Sequence, residues 1–307
     1  MLTMNVNAFH PLIPRQNVNP EPVSGATFIH DPTVVKTPGG SYIAAFTADG
    51  VGLKQSSDRT NWRDVGAAFP NGAPWTTSYT NGDKNLWAPD ISYHNGQYYM
   101  YYSASSFGKS KSAIFLATSK TGMSDTWTNQ GLIVESTENS DYNAIDPNLI
   151  VDASGNWWLA FGSFWSGLKL IQLDSSTGKR SGSSMTSIAA RPNKAVEAPF
   201  IYRKDNYYYL WVSFDSCCKG AASTYRIMVG RSTNVKGPYL DKAGQDMMQG
   251  GGTQMMSSQG SVHGPGHCAV FTDNDGDVLV YHYYKDNGDA TLGINLIKYV
   301  DGWPVIY

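Results

Sequence analysis

The chain is poor in charge. Of its 307 residues only 16% are Asp, Glu, Lys or Arg, against roughly a quarter in an average globular protein. The net charge of −2 is spread without a long basic run. A nucleic-acid footprint, which needs clustered Lys and Arg to neutralise phosphates, is thereby excluded. Long apolar runs are missing too: none approaches the roughly 18 residues of a membrane span. The opening residues, MLTMNVNAFHPLIPRQNVNP, lack the basic-then-apolar layout of a signal peptide. The chain therefore reads as soluble, or as a mature form already trimmed. Three cysteines are too few for a disulfide framework and do not have zinc-site spacing. They read as small core residues, with a bond between the adjacent Cys217 and Cys218 as the sharper alternative.

What the chain has is aromatic residues (13%, with 19 Tyr and 9 Trp), 31 Gly and 15 Pro, a mixture that suits many short strands joined by tight turns. A repeat underlies it. HDPTVVKTPGGSYIAAFT, starting at His30, pairs a polar opening with a strand, a glycine-marked turn and a second, aromatic-rich strand. The order recurs in WAPDISYHNGQYYMYYS from Trp87, IDPNLIVDASGNWWLAFGS from Ile145, EAPFIYRKDNYYYLWVS from Glu197 and GHCAVFTDNDGDVLVYHYY from Gly266. Third strands follow as SAIFLATS, SGLKLIQLD, YRIMVGRS and LGINLIKY. A three- or four-stranded meander cannot bury both its faces alone, so copies must stack. Five of them arranged radially give an all-β, five-bladed β-propeller, one domain over residues 1–307. First strands line its channel, and their starts open onto a water-accessible cavity. Asp31, Asp90, Asp146, Glu197 and His267 are expected to take that place in the five copies. The long stretches Asn71 to Asn85 and Gly244 to Gly266 are read as rim loops.

Carboxyl groups converging from different blades are what glycoside hydrolysis needs: one ionised to activate water, one protonated for the leaving oxygen. Asp31, Asp146 and Glu197 fit, a third carboxylate serving to hold the acid protonated by like-charge repulsion. Alone, Asp31-Pro32 or Asp146-Pro147 is an ordinary turn opener; with Glu197 beside them that reading weakens. Asp90 follows its proline instead of preceding it and stays outside the triad. His267, at an axis ringed by acids, is a candidate to hold a cation or position a water, against the commoner role of a hydrogen-bonded structural residue; His30 and His263 are weaker candidates. DNDGD (Asp273 to Asp277) fails the calcium-loop pattern, having Val278 and Tyr284 where Gly and Glu are required, and reads as a hairpin turn. SSDRTNW (Ser56 to Trp62) reads as an ordinary blade turn. Trp87 and the corner Phe164, Trp165, Ser166 are candidate sugar contacts, since flat apolar rings match the C–H face of a sugar; blade packing is the alternative.

HDPTVV, WAPDISYHNGQYYMYYS, AIDPNLIVDASGNWWLAFGSFWSGL, VEAPFIY and GPGHCAVF, in that order, resemble family 43 glycoside hydrolases, the endo-1,5-α-L-arabinanases in particular, over nearly the whole chain from His30. The resemblance implies a five-bladed propeller that inverts, with Asp31 as general base, Glu197 as general acid and Asp146 tuning and orienting the acid. It implies that His267 helps to hold a calcium or similar ion near the channel centre, mostly through water. The implied partner is arabinan, a pectin side chain, and its oligosaccharides; a secreted monomer is expected, with an intracellular enzyme as the variant. SFDSCCKG also resembles the arabinanase group, and the lack of an appended β-sandwich after Tyr307 points to its short members. Exo-acting arabinofuranosidases and β-xylosidases share the three acids, and a sugar-binding propeller without catalysis is the reading from another class.

Overall fold

A computed structural model describes residues 18–307; the stretch read for a signal peptide falls mainly on residues 1–17, outside them. Along the chain run five sheets of four or five strands. The first blade holds Thr33–Lys36, Tyr42–Phe46, Gly52–Ser56 and Asn61–Ala67. The second holds Asn85–His94, Gln97–Ala104, Ser112–Ser119 and Thr128–Ser136. The third is made of Asn148–Val151, Trp157–Phe161, Leu168–Leu173 and Thr186–Ala189. The fourth is made of Val196–Lys204, Tyr207–Phe214, Arg226–Ser232 and Thr253–Met256. His263–Asp273, Gly276–Tyr284, Ala290–Val300 and Trp303–Ile306 form the fifth.

The second strands are apolar on both faces because each blade is covered on both sides. Tyr98, Met100 and Tyr102 pack against the first blade, whereas Tyr99 and Tyr101, one residue out of phase, pack against the third. Leu210 and Val212 likewise meet the third blade, and Tyr209 and Trp211 the fifth. The last interface closes the ring: Val34, Ala44 and Phe46 of the first blade meet Val278, Val280 and Leu292 of the fifth. Burying such a side chain contributes roughly 1.5–3 kcal/mol, so the five interblade clusters carry most of the stability.

Polar links reinforce that closure. The turn read in SSDRTNW and the hairpin read in DNDGD are both turns, and they meet: Arg59 Nη1 lies 2.6 Å from Asp273 Oδ2 and 2.7 Å from Asp275 Oδ1. The segment before the first blade adds backbone bonds to the fifth, Glu21 N–H to Ile294 O (2.8 Å) and Leu292 N–H to Thr27 O (2.9 Å). One expectation fails here. The stretch from Gly244 to Gly266 is not all rim loop, for it supplies the fourth blade's outer strand Thr253–Met256, and Met247 and Met256 are buried. No helix among the described residues is long and apolar enough to cross a membrane.

Candidate active site

Each blade begins at the axis with one residue in the left-handed backbone region: Asp31 (φ 50°), Ala88 (48°), Asp146 (58°), Ala198 (55°) and His267 (46°). For a residue with a Cβ that conformation costs about 1–2 kcal/mol, and strain of this kind gathers at functional sites. Pairing sets Trp87 opposite Ser103, Glu197 opposite Ser213 and Gly266 opposite His282. The acids therefore do not share one equivalent position, as the repeat suggested. Asp31 and Asp146 hold the left-handed place, Glu197 the place before it, and Asp90 lies two residues past Ala88. A bulge in the pairing follows Trp87, Glu197 and Gly266; bulges re-aim side chains, and here both register places face the same cavity. Asp90 instead accepts from Leu149 N–H (2.7 Å) inside the ring, a structural tie between the second and third blades.

The left-handed N–H groups are held by the residue closing the preceding blade's second strand. His282 Nδ1 accepts from Asp31 N–H (3.1 Å), Thr47 Oγ1 from Ala88 (2.8 Å), Ser103 Oγ from Asp146 (3.0 Å) and Ser213 Oγ from His267 (2.8 Å). Between the third and fourth blades the pattern breaks. Ser163, at the corresponding place, donates to Glu197 Oε2 (2.6 Å), and the Ala198 N–H goes to Asp146 Oδ2 (3.0 Å). The exception thus falls on two of the three carboxyl groups.

Asp31 is surrounded by donors. Thr47 Oγ1 donates to Oδ2 (2.6 Å), His30 Nδ1 lies 2.9 Å from Oδ2, and His267 Nδ1 lies 3.2 Å from Oδ1. Burial alone would push this carboxyl up, but His30, then His267 and His282, outweigh it and hold Asp31 well below the usual carboxylate range. His30 responds in kind: burial works against its charge, yet Asp31 raises it above the ordinary histidine value. His282 is held neutral by burial, as its role of acceptor requires.

Glu197 has the opposite setting. Burial pushes it up to about 7; the Ser163 hydrogen bond opposes and the Asp31 charge assists. Tyr225 donates its hydroxyl to Oε1. Asp146 is raised as well, by burial first and then by Glu197 and Asp31. The burial that pushes Glu197 up thus also disfavours the ionised form of Asp146.

The three acids line one cleft of about 520 Å³, together with Trp87, Phe107, Phe164 and Trp165. Phe164 (φ 53°) and Trp165 (φ 40°) are consecutive left-handed residues, and they are 44% and 49% exposed. Two aromatic rings held in solvent by a strained corner are poorly explained by blade packing. Ser166, expected beside them, is not part of the lining; its N–H bonds Asp141 O (2.8 Å). His263 is also elsewhere, paired with Asp286 at 2.7 Å. Sequence reasoning missed Thr47, Ser163, Tyr225 and His282, all in contact with an acid, and Phe107, which is 83% exposed at the cleft. The core reading holds only for buried Cys268; Cys217 and Cys218 stand in the cleft wall outside the core and are bonded to each other, the alternative reading.

An ion at His267 would find few protein donors. Among the described residues His267 joins neither cluster of ligand atoms within 4.8 Å, which are His30, Asp31, His282 and His30, Cys217, Cys218, and the two sulfurs of the latter are already bonded. Calcium takes six to eight oxygen ligands, so the residues here fit an ion carried mainly by water and not one caged by the chain.

The chain's likeness to known proteins spans the whole ring. The model of Glycosyl hydrolases family 43 matches residues 20–304. Extracellular endo-alpha-(1->5)-L-arabinanase 1 of Bacillus subtilis is 48% identical over 285 residues, 90% of this chain and 87% of that protein. Extracellular exo-alpha-(1->5)-L-arabinofuranosidase ArbA of Cellvibrio japonicus is 39% identical over 299 residues, 91% of this chain and 86% of that one. The solved structure of a family 43 endo-arabinanase from Bacillus licheniformis superimposes with a TM-score of 0.86 at 47% identity, covering 92% of this chain and 99% of that one. All three cleft carboxyls and all but the last two strand residues of the ring lie inside the family match, and the chain is a glycoside hydrolase that belongs to Glycosyl hydrolases family 43.

Proposed function

We propose that the protein hydrolyses the α-1,5-linked L-arabinofuranose backbone of linear arabinan, cutting within the chain and inverting the anomeric centre. The observation that carries this is that two carboxyls of one cleft have opposed surroundings. Asp31 faces the Thr47 hydroxyl, His30 and His267, and the histidines hold it well below the usual carboxylate range, whereas Glu197 is buried and pushed up to about 7. Asp31 takes the proton of a water that attacks the anomeric carbon. Glu197 gives its proton to the departing glycosidic oxygen from the opposite side. Asp146, bonded to the Ala198 N–H, fixes the backbone next to Glu197 and so orients the acid. Trp87, Phe164 and Trp165 offer ring faces to successive sugars.

An ion at His267, calcium or similar, would add positive charge near Asp31 and favour its ionised form; His267 would hold it with water completing the shell. Secretion accords with a polymeric wall substrate and with the extracellular relatives. All the groups named come from one ring, so a monomer suffices. The test is the product pattern on debranched arabinan: a ladder of oligosaccharides is expected in the first minutes, whereas release of a single short product from the outset would assign the cleft to exo cleavage, and no release would leave a binding protein.

A further inference from the structure

A bond between sequence neighbours joins no separate elements. The loop it closes is the shortest there is, so it removes little entropy from the unfolded chain and adds little to global stability. What the Cys217–Cys218 bond fixes is local: a turn with Cys218 left-handed (φ 68°) and two sulfurs held side by side. That turn stands in the cleft wall, Cys217 half-buried and Cys218 exposed. It is anchored to the base. The Cys218 N–H donates to Tyr284 Oη (2.9 Å), Tyr284 Oη lies 2.7 Å from His30 Nε2, and His30 Nδ1 lies 2.9 Å from Asp31 Oδ2. Cys218 Sγ itself is 3.9 Å from His30 Nε2. A polarisable, apolar surface that needs no ordering when ligand arrives suits the C–H face of a furanose ring.

We propose that the Cys217–Cys218 disulfide is a substrate-contact surface, packing against the C–H face of the arabinofuranose unit bound beside Asp31. The inference rests on the arabinan reading above. It is tested by fitting kcat and KM separately on linear α-1,5-arabinohexaose for the untreated enzyme, the same enzyme reduced with TCEP, and the Cys217→Ser/Cys218→Ser variant. Opening or removing the bond is expected to raise KM roughly tenfold with kcat nearly unchanged, the signature of a lost uniform contact. Removing TCEP and reoxidising should restore KM in the wild-type enzyme alone. Unchanged KM in both the reduced enzyme and the variant, with the untreated enzyme active, overturns the contact and leaves the arabinan reading standing. A fall in kcat at constant KM also overturns it, assigning the turn to support of Tyr284 and His30 instead. No hydrolysis by the untreated enzyme overturns the substrate assignment and this inference with it.

Discussion

Glu197 shows how much of the ring bears on a single carboxyl. Its carboxyl is buried, accepts from Ser163 and Tyr225, and is pushed up to about 7 chiefly by that burial. With Glu197 as the proton donor, kcat/KM should fall above about 7, by about tenfold per pH unit. Glu197→Gln should lower kcat by about 10²–10⁴-fold. The same substitution should stabilise the fold at high pH. A folded-state pKa above the unfolded one means the wild-type contribution is complete below the ordinary 4.5 and is lost as pH rises through about 7. Glutamine carries no charge and escapes that loss. In urea denaturation at pH 8 the variant should gain up to about 3 kcal/mol on the wild type, a gain absent at pH 4; an equal difference at both would show that ionisation of Glu197 is not the cause. Asp31, Asp146 and Glu197 stood out in the sequence because each lies one or two residues ahead of a proline at a blade start. Tyr225 and His282 did not, because Tyr225 stands just before the strand Arg226–Ser232 and His282 late in Gly276–Tyr284, where an aromatic or histidine looks like any other core residue.

At the level of the strand, the hydrogen bonds that join successive blades at the axis separate structure from chemistry. Ser213 accepts the His267 N–H, so Ser213→Ala should leave a buried donor without a partner and cost about 1–3 kcal/mol in denaturant unfolding. Ser163 occupies the corresponding place but serves Glu197. Since its hydrogen bond lowers the Glu197 pKa, Ser163→Ala should move the alkaline limb of kcat/KM to higher pH; a limb that stays in place would remove Ser163 from the site. This device was half visible in the sequence. Asp31, Ala88, Asp146 and Ala198 all directly precede a proline, and alignment on that proline, instead of on the acids, separates Glu197 from Asp31 by one register place. The bulges that bring both places to one cavity leave no mark in composition, and the strand Thr253–Met256 was hidden by the glycines around it.

Across the whole molecule, stability and activity divide between the sides and the axis of the ring. The first and fifth blades close on a shared apolar cluster and on Arg59, whose side chain is 10% exposed against Asp273 at 3%. Arg59→Ala leaves the Asp273 charge with fewer partners and should cost roughly 3 kcal/mol. The melting temperature should drop while kcat at 25 °C holds, because Arg59 is not in the cleft lining. The five-blade architecture was legible because each repeat carries its own turn and paired strands, whereas the meeting of SSDRTNW with DNDGD joins distant parts of the chain that only ring closure brings together. Asp31 as base and Glu197 as acid are tested most directly by following the anomeric configuration of sugars released from linear arabinan by NMR during the first minutes. β-Anomers appearing first and then mutarotating would establish inversion by water between the two carboxyls, and α-anomers appearing first would contradict it.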